Sequence, residues 1–390
     1  MSRNILPEPP AELKHLSNQL SSRIRDSFGS DGMMPWSRFM EMALYEPGLG
    51  YYSAGLHKLG ETGDFITAPE LGPLFASCLA RQVAGLADTL GDYDILEAGA
   101  GTGQLAADLL RQLPPGQMPR RYLVLERSAD LRQVQSERIE ATVPELADRV
   151  EWLDQPPEAD WQGVLIANEV LDAFAVERFL IADDGVRQLC VTMQDNRFAW
   201  SSREAPAKLA EAVNHVAITA QTEFAPGYRS EINLHMADWL NAITRKMTRG
   251  LALFIDYGYP RREFYLPERS DGTMMCHYRH RAHDDVFFWP GLQDITAWVD
   301  FTALAEAADL NALEVEGYVS QAMFLLGCGL DQVLTQQSLD SEDGGLALSA
   351  QARELTLPGL MGEKFQVMGL GRGLSEPLCG FSLQDLRYRL

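Results

Sequence analysis

The chain has 390 residues, 46% of them apolar and 23% charged, the make-up of a globular enzyme rather than of a fibrous or disordered protein. Its net charge of −22 repels nucleic-acid backbones and anionic lipid and favours cationic partners. No apolar run reaches the roughly 18 residues of a membrane span. The five cysteines are scattered without a CxxC pair, which reads as reduced thiols in a cytoplasmic compartment. The opening MSRNILPEPPAELKHLSNQL lacks the apolar core of a secretory signal, and its Glu8 and Glu12 argue against a transit peptide.

Residues 1 to about 30 read as a polar, partly helical lead-in. An aromatic- and glycine-rich stretch follows, with too many turn formers for one helix. Ala76–Leu90 carries apolar residues at helical spacing. Strands and helices then alternate. YDILEA is a short strand, Gln104–Leu113 an amphipathic helix, RYLVLE a second strand and Asp130–Ala141 a second helix. VEWL and the apolar GVLIAN are the next strands, the latter suited to a sheet buried on both faces. Shorter β patterns with DDG and DN turns between Glu177 and Ser202 indicate an inserted meander. A helix near Met236–Met247 leads into GLALFIDYG. Tyr259–Gln293 is long, rich in His, Arg and Asp, and weakly periodic, the mark of a loop covering a site. Helical text resumes at Thr296–Ala308, and ALEVEGYV and KFQVMGLGRG are the last strands. The alternation predicts a doubly wound α/β sheet with its ligand at the C-terminal strand ends. The expected organisation is a clamp segment over 1–75 and a catalytic domain over 76–390, with insertions at about 175–235 and 259–295.

In DILEAGAGTGQL, three glycines, Gly99, Gly101 and Gly103, alternate between a strand and a helix. Without Cβ atoms the backbone can pass close under a nucleoside, and the helix turns its N–H groups to the ligand. A dinucleotide site calls for GxGxxG, whereas Thr102 and Gln104 stand where its third glycine would fall. The pattern here is ExGxGxG, opened by Glu97. It suits S-adenosylmethionine, which has no pyrophosphate and carries a sulfonium and an amino-acid end that welcome a carboxylate. Glu126, ending the next strand, is placed to take both ribose hydroxyls. Asn168, ending GVLIAN, is assigned to the same pocket.

Several blocks together resemble one family: GDFITAPELGPLF, LEAGAGTG, LVLERSADLRQVQ, IANEVLDAFAVERF, FIDYG, WPGLQDITAWVDFTAL and MGEKFQVMGL. The chain is similar to the MidA-type class I S-adenosylmethionine-dependent methyltransferases over roughly residues 35–375. The resemblance implies a mostly parallel, seven-stranded Rossmann-like sheet with cap segments, and symmetric dimethylation of an arginine on a respiratory complex I subunit. It also favours reading Gly63, Asp64, Phe65 and Glu70 as a clamp over the cofactor, which the residues alone leave open against a plain loop ahead of a helix. The stretch after FIDYG departs from the mitochondrial relatives, so the target protein can differ too.

A guanidinium acceptor is planar and cationic and pairs with carboxylates. Glu169 and Asp172, following GVLIAN, are the candidate catalytic acids, although Asp172 suits a helix cap equally well. Cys276, His277, His280 and His283 lack a known zinc spacing, so no metal site is expected. The runner-up reading is a non-catalytic assembly factor that keeps the cofactor fold.

Overall fold

Asp94–Ala98 (β1) is buried along its whole length because parallel neighbours flank it on both sides. On one side lie Arg121–Leu125 (β2) and Val150–Leu153 (β3); on the other lie Trp161–Asn168 (β4) and Met247–Tyr259 (β5). Glu314–Ser320 (β6) and Phe365–Arg372 (β7) complete the order β6-β7-β5-β4-β1-β2-β3, with a two-residue strand, Val299–Asp300, also pairing with β5. β7 runs antiparallel to both its neighbours. From β1 the chain winds one way through β2 and β3, then returns to β4 and winds the other way. The reversal leaves a crevice at the C-terminal ends of β1 and β4, where Ala98 pairs with Ala167.

The structure is a computed structural model in which residues 6–54, 67–341 and 344–390 are described. The chain forms two compact units, each assembled from three segments. The first, built on the seven-stranded sheet, is Ile66–Leu171, Met236–Gly258 and Val299–Leu390; the second is Met1–Phe65, Asp172–His235 and Tyr259–Trp298.

In the first unit, helices Pro73–Leu90 (α1), Gln104–Gln112 (α2) and Ala129–Thr142 (α3) pack their apolar faces on the sheet. The Ser128 hydroxyl caps α3 by accepting the Leu131 N–H at 3.3 Å. At the opposite end of the strands the sheet is pinched. Gly250 pairs with Gly163, and Gly163 with Asp94. A Cβ on Gly163, at φ +151°, would stand 1.8 Å from the Asp94 carbonyl oxygen, and one on Gly250 2.0 Å from that of Gly163. The buried Asp94 carboxylate accepts from Arg120 and Arg121, each at 2.7 Å. These ion pairs hold its carboxyl below the ordinary range against the pull of burial.

The second unit holds an antiparallel sheet of Met34–Pro35, Glu177–Ala182, Gly185–Gln194, Arg197–Glu204 and Arg229–Ile232. Its DN turn takes left-handed backbone at both Asp195 and Asn196, as a tight hairpin requires. The stretch 259–293 is not the irregular loop its weak periodicity implied. It contains the helical turn Arg261–Phe264 and the strands Met275–Tyr278 and Arg281–His283, which form a small sheet with Asp294–Thr296 just beyond it. The hairpin there turns through Arg279 and His280, both at positive φ, without the Asn or Gly that normally announces such a turn. The helix expected from Thr296 begins instead at Phe301, because Asp300 caps it by accepting the N–H groups of Thr302 and Ala303. Among the described residues no helix is long and apolar enough to cross a membrane.

Candidate active site

β1 delivers its chain into the crevice through Gly99, Gly101 and Gly103, at φ +69°, +54° and +82°. All three adopt the left-handed region, so the alternating glycines are a backbone requirement. A Cβ on Gly103 would also press to 3.0 Å from the Gln135 Cα. Helix α2 starts at the next residue, with its free N–H groups at the turn.

Glu97 is 3% exposed and accepts a hydrogen bond from the Tyr122 hydroxyl at 2.7 Å. Burial pushes its carboxyl up to about 7, with the tyrosine bond opposing. Glu70 lies in the turn Ala68–Leu71 ahead of α1, and its carboxylate accepts from the Thr102 hydroxyl, so it meets the middle of the glycine turn.

Glu126 follows β2. One carboxylate oxygen accepts the Ser128 N–H at 2.8 Å and the other the Gln135 side-chain amide at 3.4 Å. Burial raises this carboxyl too. An ionised carboxylate has about four acceptor positions, so capacity remains for a diol. Gln135 ties the arrangement together: its amide also donates to the Gly101 carbonyl at 3.0 Å, and its oxygen accepts from the Trp152 indole at 2.8 Å. Sequence reading passed over Gln135, since an internal glutamine on a helix carries no signal until the turn it braces is known.

At the end of β4, the Asn168 amide donates to Glu169 at 3.1 Å, while its Oδ1 is buried without a hydrogen-bond partner among the described residues. Such an atom is satisfied by a donor from a ligand. Glu169 has φ +53°, a strained value for a glutamate, and its N–H donates to the Ile255 carbonyl at 2.9 Å. The turn beyond is held by the buried Asp256 of β5. One of its carboxylate oxygens accepts the Val170 and Leu171 N–H groups at 3.2 and 2.9 Å, and the other its neighbour Tyr257 N–H at 2.9 Å. Asp256, inside the FIDYG block, was missed as a positioning residue; a carboxylate closing an apolar strand was the available signal.

Asp172 belongs to the second unit and is 5% exposed. No helix follows it, so it caps none; the chain proceeds to the strand Glu177–Ala182. Its carbonyl accepts the Ala297 N–H at 2.9 Å. Gly63, Asp64 and Phe65 lie outside the described residues. In the second unit, Cys276 and His283 face each other across the hairpin. Even so, no group of three or more His, Cys, Asp or Glu among the described residues is placed to hold a metal.

Residues 78–319 match the family described as "Putative S-adenosyl-L-methionine-dependent methyltransferase". The chain belongs to that family. The structure of a COG1565 superfamily member from Burkholderia thailandensis bound to S-adenosyl-homocysteine is 39% identical, covers 99% of this chain and 100% of its own, and superposes with a TM-score of 0.93. A native structure of a COG1565 protein from the same organism has a TM-score of 0.90 at the same identity. Among curated proteins, the mitochondrial protein arginine methyltransferase NDUFAF7 of Danio rerio is 27% identical over 91% of this chain and 85% of its own length. That of Homo sapiens is 25% identical over 87% and 80%.

S-adenosylmethionine is therefore the cofactor of this methyltransferase, as its ExGxGxG turn implied, and the first unit has the family's Rossmann-like sheet. The left-handed glycine turn, the spare acceptor capacity of Glu126 and the unpartnered Asn168 oxygen fit a nucleoside with a cationic amino-acid tail. Glu126→Ala is expected to weaken S-adenosyl-homocysteine binding by about 1–3 kcal/mol, the range for a lost charged acceptor. Titration calorimetry giving equal affinities would exclude a ribose contact at Glu126.

Proposed function

We propose that this methyltransferase acts on protein arginine, forming symmetric dimethylarginine on a subunit of a respiratory complex. The observation that carries the reading is Glu169, a carboxylate held at positive φ at the end of β4, beside the strand that delivers the glycine turn. Support comes from the relatives named protein arginine methyltransferases and from the net charge of −22, which draws cationic segments.

S-adenosylmethionine supplies a methyl group already activated by its sulfonium, so the chain's own residues have to position the acceptor and take its proton. In this reading Glu126 holds the ribose. Glu97, Asn168 and Glu70 serve the cofactor's polar ends, with Gly63, Asp64 and Phe65 as its clamp. Glu169 pairs with the guanidinium, turns one nitrogen towards the methyl and disperses the proton it sheds. Asp256 fixes the turn from which Glu169 projects, and Asp172 is a second acid for the acceptor.

Glu169→Gln keeps the shape of the side chain and removes the charge. Turnover on an arginine-bearing acceptor is expected to fall at least about tenfold, roughly 1.4 kcal/mol of transition-state stabilisation, with cofactor affinity nearly unchanged. Respiratory-complex subunits incubated with enzyme and labelled donor, then mapped by mass spectrometry, should carry the label on arginine as symmetric dimethylarginine. Label on another residue type or on small molecules alone would refute the arginine assignment. Loss of cofactor binding in the variant would move Glu169 into the cofactor pocket.

A further inference from the structure

Three of the five cysteines, Cys78, Cys328 and Cys379, lie in the first unit, and all five are free thiols. Cys328 ends the helix Gln321–Gly327 and is buried, whereas Cys379 opens the turn Cys379–Phe381 and is partly exposed. They are 51 positions apart, yet their sulfurs stand 3.8 Å from each other.

Glycines let the two backbones approach this closely. A Cβ on Gly327 would meet the Cys379 carbonyl oxygen at 2.6 Å, and one on Gly380 the Phe324 ring at 2.2 Å. The Phe381 ring then lies over Gly317 of β6 and Gly369 of β7, with its edge to Phe324 at 5.3 Å. The Gln82 side-chain oxygen on α1 accepts the Gly380 N–H at 3.0 Å and the Cys379 thiol at 3.5 Å. Tail turn, helix end and α1 thus hold the two sulfurs in register. A disulfide needs about 2.05 Å between them, so side-chain rotation has to close only about 1.8 Å.

We propose that Cys328 and Cys379 form a peroxide-oxidised dithiol that closes as a disulfide, pinning the C-terminal turn to the end of the helix Gln321–Gly327. The attacking sulfur is Cys379. Its contact with the Cys328 sulfur lowers its thiol to about 7 against the effect of burial, helped by the Gly380 N–H and the Arg81 guanidinium. The Cys328 thiol is raised by that same contact and by burial, and burial pushes Cys78 up to about 12, so both remain protonated. The Cys379 thiolate attacks one peroxide oxygen, the O–O bond breaks and hydroxide leaves, giving a sulfenic acid. Cys328 then attacks that sulfur, the S–O bond breaks and water leaves with the Cys328 proton. Two thiols and one peroxide become one disulfide and two waters, with the two electrons passing to the peroxide.

The test uses the full-length native protein and a modest excess of hydrogen peroxide, followed by non-reducing peptide mapping and a thiol count. The expected product is a single crosslink between the peptides bearing Cys328 and Cys379, with two thiols lost and both recovered with a dithiol reductant. Cys379→Ser should slow thiol loss at least about tenfold, since attack depends on the thiolate fraction. Cys328→Ser should stop at the sulfenic acid or beyond, and Cys78→Ser should leave the crosslink intact. A crosslink through Cys78, sulfinic acid on wild-type Cys379 beside a free Cys328, or oxidation no faster than at the buried Cys190 would each overturn the proposal. Mapping of the wild-type protein decides the matter even if a serine variant folds poorly.

Discussion

Glu97→Gln is expected to stabilise the ligand-free protein at alkaline pH and to do little for it in mild acid. A carboxyl raised in the fold from 4.5 to about 7 adds stability that is complete below its unfolded value and lost as pH rises through the folded one. At about pH 8 the fold has to keep a buried carboxylate ionised or proton-bound, and glutamine removes that requirement while still accepting the Tyr122 hydroxyl. The gain over wild type should be about 2–3 kcal/mol larger at about pH 8 than at about pH 5. Denaturant unfolding at the two pH values measures it, and a pH-independent difference would remove Glu97 as the titrating group. Cofactor affinity should run the other way. In the proposed arrangement Glu97 serves the cationic end of S-adenosylmethionine, which favours the ionised acid, so wild-type binding should tighten as pH rises through about 7 and release a proton. The variant should bind weakly with a flat profile.

Gly163→Ala should be among the most damaging single-methyl additions to this chain. The added carbon meets a backbone carbonyl at 1.8 Å, at a φ of +151° that L side chains rarely adopt. Neither β1 nor β4 can step aside, since each is paired on both edges in the middle of the sheet. A loss of about 3 kcal/mol or more is expected, combining backbone strain with overpacking. Gly85→Ala is the matched control: within α1, a Cβ there meets nothing within 4 Å, and alanine should stabilise by up to about 1 kcal/mol. Melting curves of the two variants should therefore move in opposite directions. Equal shifts would mean that the sheet yields where the glycine stack implies that it cannot.

What the sequence disclosed is what is encoded by neighbours in the chain. The ExGxGxG turn and the strand-to-helix alternation from Tyr93 to Ala141 are local patterns, and the fold reproduces them nearly residue for residue. Partners set by pairing across the sheet were invisible. Gln135 reveals itself only once α3 lies against the glycine turn, Asp256 only once β5 adjoins β4, and Gly163 only once β1 and β4 are in register. Local chemistry also misled where an uncommon residue does a common job. Arg279 and His280 take left-handed backbone that Asn-Gly usually provides, so a hairpin read as a loop. Asp172 has the composition of a cap but no helix to cap.

The position of β7 bears on how the chain is made. Synthesis yields β6 before β7, yet β7 fills the slot between β5 and β6. Until residue 372 has left the ribosome, the apolar edge of β5 is open and β6 has no strand to join. The nascent chain therefore carries an exposed, aggregation-prone edge until β7 emerges, the situation that holdase chaperones relieve. Truncations that remove β7 are the costly ones. A stop codon shortly before Phe365 leaves this edge unsealed, and such a product should appear in inclusion bodies rather than as a shortened soluble enzyme.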